Sequence, residues 1–232
     1  MNIAYPPTTI YDVLKKGLSL KQAVYRYDKN LDVIPATIKI ESEDRKPVVF
    51  QERIRKLANY YDVLLSDVVD NYDLILLDSA PGFGIEALTT MRVADGILII
   101  TNPEVPALSA AVKAMEYAKL LKVPMAGIAL NKVRGASYEP KIPEIEQALG
   151  ARISGIIPMD EHVPESIALK LPVVMYKPHC RASIAIKKLA ASIIGRRYKE
   201  ESIFTKTIHS IKTIFGIKES DVIGLQKHEI KP

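Results

Sequence analysis

The chain has one cysteine, Cys180, so it can form no intramolecular disulfide and no metal or iron–sulfur site built from cysteine alone. Such sparse cysteine fits a reducing compartment. No stretch approaches about 18 unbroken apolar residues, so none reads as a membrane-spanning helix. The opening Met1-Asn-Ile-Ala-Tyr-Pro-Pro7 lacks a basic segment followed by an apolar run, and no signal peptide is expected. His162, His179, His209 and His228 stand at no metal-binding spacing to Cys180 or to one another. His179-Cys180-Arg181 is expected to be a structural helix start. Internal repeats and low-complexity stretches are absent. A net charge of +5 is too small to mark the whole body as a polyanion binder, so the placement of the charge carries the information.

With 48% hydrophobic and 25% charged residues, the composition is that of a folded globular protein, not a disordered one. Its 232 residues suffice for a core without covalent staples. Apolar runs alternate with amphipathic helical patterns. Strands are predicted at Leu31–Ile34, Asp73–Asp78, Gly96–Thr101, Met125–Asn131, Ile153–Ile157 and Val173–Met175. Helices are predicted at 50–69, 84–92, 107–121, 143–149, 164–169 and 182–194. Asp73-Leu-Ile-Leu-Leu-Asp78 is apolar on both faces, as in a buried parallel strand. Strand–helix alternation with short connections predicts an α/β fold, a doubly wound, mostly parallel sheet. Ligands of such sheets bind beyond the carboxyl ends of the strands, so the loops after Asp78, Thr101, Asn131 and Ile157 are the ones to read.

Asp78-Ser79-Ala80-Pro81-Gly82-Phe83-Gly84 places an acid at the end of an apolar strand, where a carboxylate needs a partner or a task. Mg²⁺ takes one or two carboxylates with waters and phosphate oxygens, and a nearby glycine lets a backbone N–H approach a phosphate. A plain turn into a capped helix would read the same way. Asn131-Lys132-Val133 offers a side-chain amide that can both donate and accept, as a purine edge requires, yet asparagine is also an ordinary turn residue. Pro158-Met159-Asp160 could wall a planar base, or Asp160 could simply cap the next helix.

Taken in order, Asp73-Leu-Ile-Leu-Leu-Asp-Ser-Ala-Pro-Gly-Phe-Gly84, Ala94-Asp95, Thr101-Asn-Pro-Glu104, Leu130-Asn-Lys-Val133 and Ile157-Pro-Met-Asp160 with Val163 resemble the MinD/ParA family of deviant Walker ATPases, in its archaeal MinD-like form. Pro6-Pro7-Thr8-Thr9-Ile10 and the residues to Leu14 extend the resemblance, which spans roughly residues 5 to 195. It implies a P-loop NTPase-like domain over 1–195, ATP and Mg²⁺ as cofactors, Asp78 as the Walker B carboxylate, Gly82 as the glycine that senses the γ-phosphate, Asn131 against the adenine, and Pro158, Met159 and Asp160 lining the adenine pocket. It also implies an ATP-driven dimer, either of this chain or with another family member, in the positioning or partitioning of cellular structures.

One departure is large. The pattern Gly-x-x-x-x-Gly-Lys-Ser/Thr occurs nowhere in the 232 residues. Without it there are no backbone donors around the phosphates and no lysine for the transferring charge, so the chain alone is not expected to hydrolyse ATP. Two expectations follow: Met1 is an internal methionine of a longer ATPase, or the chain is a non-catalytic relative that binds partners.

The charge excess collects at 196–232. Arg196, Arg197, Lys199, Lys206, Lys212 and Lys218 stand against Glu200 and Glu201 between Arg196 and Lys218. At about 100° per residue, Ile203, Phe204, Ile208, Ile211, Ile214 and Phe215 share an arc of about 140°, with Lys206, His209 and Lys212 outside it. A basic amphipathic helix from Ile203 to Ile217 is predicted to lie on an anionic membrane surface, which places the protein in the cytoplasm, peripheral at the inner face of the cell membrane. Packing against the body and binding to nucleic acid are the weaker alternatives. Nucleic acid is the least favoured partner.

Overall fold

The computed structural model describes residues 6–36, 50–80 and 82–198. The chain enters through α1 (Ile10–Lys16), whose start is closed by a capping box. The Asp12 amide donates to Thr9 Oγ1 at 3.4 Å, and the Thr9 amide donates to Asp12 Oδ2 at 3.0 Å. A 3-10 turn at Leu20–Ala23 leads to an antiparallel hairpin of β1 (Tyr25–Asp28) and β2 (Leu31–Val33). Lys29 and Asn30 form its turn, with the Lys29 amide donating to Asp28 Oδ1. The long helix α2 (Phe50–Ser66) buries Leu64 near its end, and Leu64 and Val68 pack with Val13, Leu20 and Ala23 in a small N-terminal core.

The larger body begins with α3 (Ile85–Val93) and alternates β3 (Ile97–Thr101), α4 (Val105–Leu121), β4 (Met125–Val133), α5 (Ile142–Leu149) and β5 (Gly155–Pro158). The three strands are parallel in the order β3-β4-β5. Successive side chains of β4 point to opposite faces. Ile128 and Leu130 enter one core with Leu108, Ala111, Ala114 and Ala118 of α4 and Ile145 and Leu149 of α5. Ala129 enters the other with Ile157 and with Ala182 and Leu189 of α8 (Arg181–Ile193). The run of alanines on α4 lets that helix lie close to the sheet. Between β5 and α8 run α6 (His162–Ala168) and the single turn α7 (Val173–Tyr176). Gly155 is required by close packing: a Cβ there would stand 2.9 Å from Leu189 Cδ1. With helices on both faces of a parallel sheet, the α/β doubly wound fold is that expected from the sequence.

Two expectations are corrected. The Asp73–Asp78 segment is not a buried strand. The described residues supply it no ladder partner, and Leu74 and Leu76 stand 53% and 81% exposed. Apolar alternation encodes the capacity to pair, whereas the strand itself needs a neighbour's N–H and C=O groups. Leu31–Val33 is a strand, as predicted, and pairs in the hairpin with β1. Val173–Met175, read as a strand from its paired valines, is helical. The Met175 and Tyr176 amides both donate to Pro172 O, and Ser183 Oγ of α8 donates to Val173 O, which holds the turn against α8. Among the described residues no helix is long and apolar enough to cross a membrane. The predicted helix Ile203–Ile217 lies outside the described residues.

Candidate functional site at the carboxyl ends of the sheet

The register of the sheet assembles the predicted loops. Thr101 pairs with Leu130, Leu130 with Ile156, and Val133 with Pro158, so Asn102, Asn131 and Pro158 emerge at one edge. The Met159 amide donates to Val133 O at 2.8 Å and fastens the β5 loop to β4.

Between Leu130 and Val133 the ladder shifts register, and Lys132 takes a left-handed backbone with φ 57. The Lys132 amide donates to Asn131 Oδ1 at 3.0 Å. A lysine in this conformation is strained, and the asparagine carbonyl supports it locally. The bulge therefore ends regular pairing just where the amide side chain of Asn131 is presented, half-buried. Such re-aiming of side chains is a usual consequence of a bulge.

Asp160 carries the densest set of bonds. Its Oδ1 accepts from the His162 amide at 3.1 Å and lies 2.7 Å from His162 Nδ1, while Oδ2 accepts from the Ala182 amide at 3.1 Å. Its side chain is only 7% exposed. Burial pushes the carboxyl up. The Ala182 amide, the His162 ring, the His162 amide and the Cys180 thiol outweigh it and hold Asp160 well below the usual carboxylate range. Asp160 thus ties the starts of α6 and α8 to the β5 loop, while the N-cap position of α6 is Glu161 and that of α8 is Cys180. Met159 is 43% exposed and Pro158 half-buried beside it.

Asp78 and Gly82 stand apart from these loops in their local structure. Asp78 is exposed at the end of the unpaired stretch. Gly82 has φ 86 and no atom within 4 Å of where a Cβ would be, so the turn into α3 needs glycine for its backbone and not for space. At the end of β3, the Thr101 hydroxyl is buried without a hydrogen-bond partner. Sequence reasoning singled out neither this hydroxyl nor the proximity of Cys180 to Asp160. The two residues are 20 apart in sequence and share no motif, and only Asp160-x-His162 gave a local signal. An open groove of about 560 Å³ lies between β5 and α8, lined by Ile153, Ile156, Pro158, Arg181 and Leu189 among others. It includes Pro158 but not Asp78, Gly82 or Asn131, so it is not the space the sequence motifs surround.

The sequence matches the AAA domain family over residues 3–126, more than half of the chain. It is 31% identical over 223 residues to an uncharacterized ATP-binding protein of Methanocaldococcus jannaschii, covering 93% of this chain and 79% of that protein. The chain belongs to the MinD/ParA family of deviant Walker ATPases. Its fold resembles that of the cell division ATPase MinD of Pyrococcus furiosus with a TM-score of 0.71 and 25% identity, over 83% of this chain and 78% of that one. The septum site-determining protein MinD of Pyrococcus horikoshii, solved with Mg-ADP, matches with a TM-score of 0.70 and 23% identity, over 82% and 75%.

The residues present fit such a nucleotide in part. Asp78 offers an accessible carboxylate for a hard cation, Asn131 an amide for a base, Pro158 and Met159 an apolar wall, and Thr101 an unsatisfied hydroxyl. For the triphosphate, the glycine-rich lysine loop is missing from the sequence.

Proposed function

We propose that this chain is a MinD/ParA-type positioning protein that works at a membrane surface in cell division or partitioning, and that it does not turn over ATP by itself. The observation that carries the reading is the ordered set of family loops at one edge of a family fold, together with the lack of the phosphate-binding lysine loop. In this reading Asn131 holds the adenine between the walls of Pro158, Met159 and the neighbouring Asp160. Asp78 holds Mg²⁺ through water, and the Gly82 amide faces the terminal phosphate. Bound Mg²⁺ supplies charge neutralisation of the phosphates. The chain's own residues orient base and metal, but they provide no lysine for the transferring charge. In this reading the 232-residue chain by itself acts as a binding module, paired with a second copy or with a complete family member.

The basic segment Ile203–Ile217 provides attachment as an appendage (196–232) to the body (1–195). Each lysine or arginine near an anionic leaflet adds about 1 kcal/mol, and the apolar residues of the segment would enter the headgroup boundary. Co-sedimentation with anionic liposomes tests this. The full chain is expected to pellet, and Ile208→Asp/Ile211→Asp to remain soluble with an unchanged melting temperature. A lowered melting temperature would instead put the segment on the body. Salt-sensitive binding to duplex DNA that survives both substitutions would favour a ParA-like reading over the membrane one.

A further inference from the structure

We propose that Asp160, His162 and Cys180 form a binding site for a transition-metal dication of the zinc class. The inference does not depend on the nucleotide reading above. One ligand atom from each of the three residues lies within 4.8 Å of the other two. They come from the loop after β5, the first residue of α6 and the residue that caps α8. Tetrahedral zinc, with bonds of about 2.0–2.3 Å to oxygen, nitrogen and sulfur, sets its ligand atoms roughly 3.3–3.7 Å apart. Closing the site around an ion therefore takes shifts of about an ångström, with Asp160 Oδ1 and His162 Nδ1, now 2.7 Å apart, moving slightly apart.

The donors are one carboxylate, one imidazole and one thiol. Magnesium and calcium select oxygen alone, whereas a mixed oxygen, nitrogen and sulfur set selects zinc or cobalt. Three protein ligands with partial exposure, the His162 side chain at 34%, leave a fourth position for water. The His162 ring lies 2.7 Å from Asp160 Oδ1, and the Cys180 thiol donates to Ser183 Oγ at 3.2 Å. A cation takes the place of the thiol proton and of the ring contact. The thiol proton leaves to solvent, sulfur binds as thiolate, His162 binds through a ring nitrogen as neutral imidazole, and no electrons are transferred.

The surroundings hold the ligands in place. The Ala182 amide donates to Asp160 Oδ2 at 3.1 Å, and the Ser183 amide donates to Cys180 Sγ at 3.4 Å. Outer-shell bonds of this kind orient metal ligands, and the amino-terminal end of α8 favours negative charge on the sulfur. Bound metal would link the β5 loop, α6 and α8 through one atom.

Titration of the chelator-stripped full chain with Co²⁺ tests the proposal. One equivalent is expected to raise a thiolate-to-cobalt charge-transfer band in the near ultraviolet and tetrahedral d–d bands in the visible. Zn²⁺ should erase both, and millimolar Mg²⁺ neither. Cys180→Ser keeps a good helix cap, so it should retain the wild-type melting temperature while losing the charge-transfer band. His162→Gln should weaken Co²⁺ binding by about tenfold or more. Absence of the charge-transfer band in the folded wild-type chain, or Cys180→Ser and His162→Gln variants that bind Co²⁺ as the wild type does, would overturn the proposal.

Discussion

Lys132 carries a side chain on a left-handed backbone inside β4, beside the asparagine assigned to the base. Replacing it with glycine should raise stability by about 1 kcal/mol, because the left-handed cost to an L-residue disappears. Chemical denaturation measures this, and a loss of stability would mean that the lysine side chain makes a compensating interaction. Asp160 and Asp12 make a second prediction. The first is held below the usual carboxylate range by its amide, ring and thiol partners, and the second is drawn to about 2, chiefly by the Lys16 ammonium and then by Thr9. A carboxyl whose pKa is lower in the folded chain stabilises it above the unfolded value, about 3.9, and that stability fades as pH falls through the folded value. Melting temperatures in chelating buffer should therefore drop below about pH 4, and Asp160→Asn should flatten that decline while lowering stability at neutral pH. An unchanged acid limb would count against the bonding described for Asp160.

At the scale of elements, Gly155 and Thr9 show two kinds of constraint. Gly155→Ala puts a methyl against Leu189, so β5 and α8 must separate, at a cost of about 1–3 kcal/mol. Thr9→Ala opens the capping box of α1, at about 1 kcal/mol. Both are read from thermal or urea unfolding, and a neutral Gly155→Ala would show that α8 yields without loss. The elements that depend on local pattern were legible in the sequence. The alanine face of α4, the apolar runs of β3 and β4, and Gly150 after α5 fall within a residue or two of their predicted places. Those that depend on neighbours were not. Asp73–Asp78 has the pattern of a buried strand but lacks a ladder partner among the described residues, and Val173–Tyr176 turns helical because Pro172 and α8 capture its backbone. The Thr9-x-x-Asp12 box that starts α1 is also a local signal, one that the predicted elements did not use. The same division holds at the site. The places of Asn131 and Pro158 at the carboxyl ends of β4 and β5 were legible because each follows an apolar strand run. The meeting of Asp160, His162 and Cys180 arises from the packing of α8 beside β5 and has no sequence spacing to announce it.

For the whole molecule, the central proposal is that these 232 residues keep the outer nucleotide loops of the family and, carrying no glycine-rich lysine loop, do not by themselves hydrolyse ATP. Phosphate release from Mg-ATP by the purified 232-residue chain tests this most directly. The account predicts no release above the buffer background, with or without anionic liposomes, from a chain that is folded and still binds those liposomes. Turnover by the wild-type chain that disappears in Asp78→Asn would contradict it, because the chain would then be carrying out phosphoryl transfer with donors that this reading does not assign.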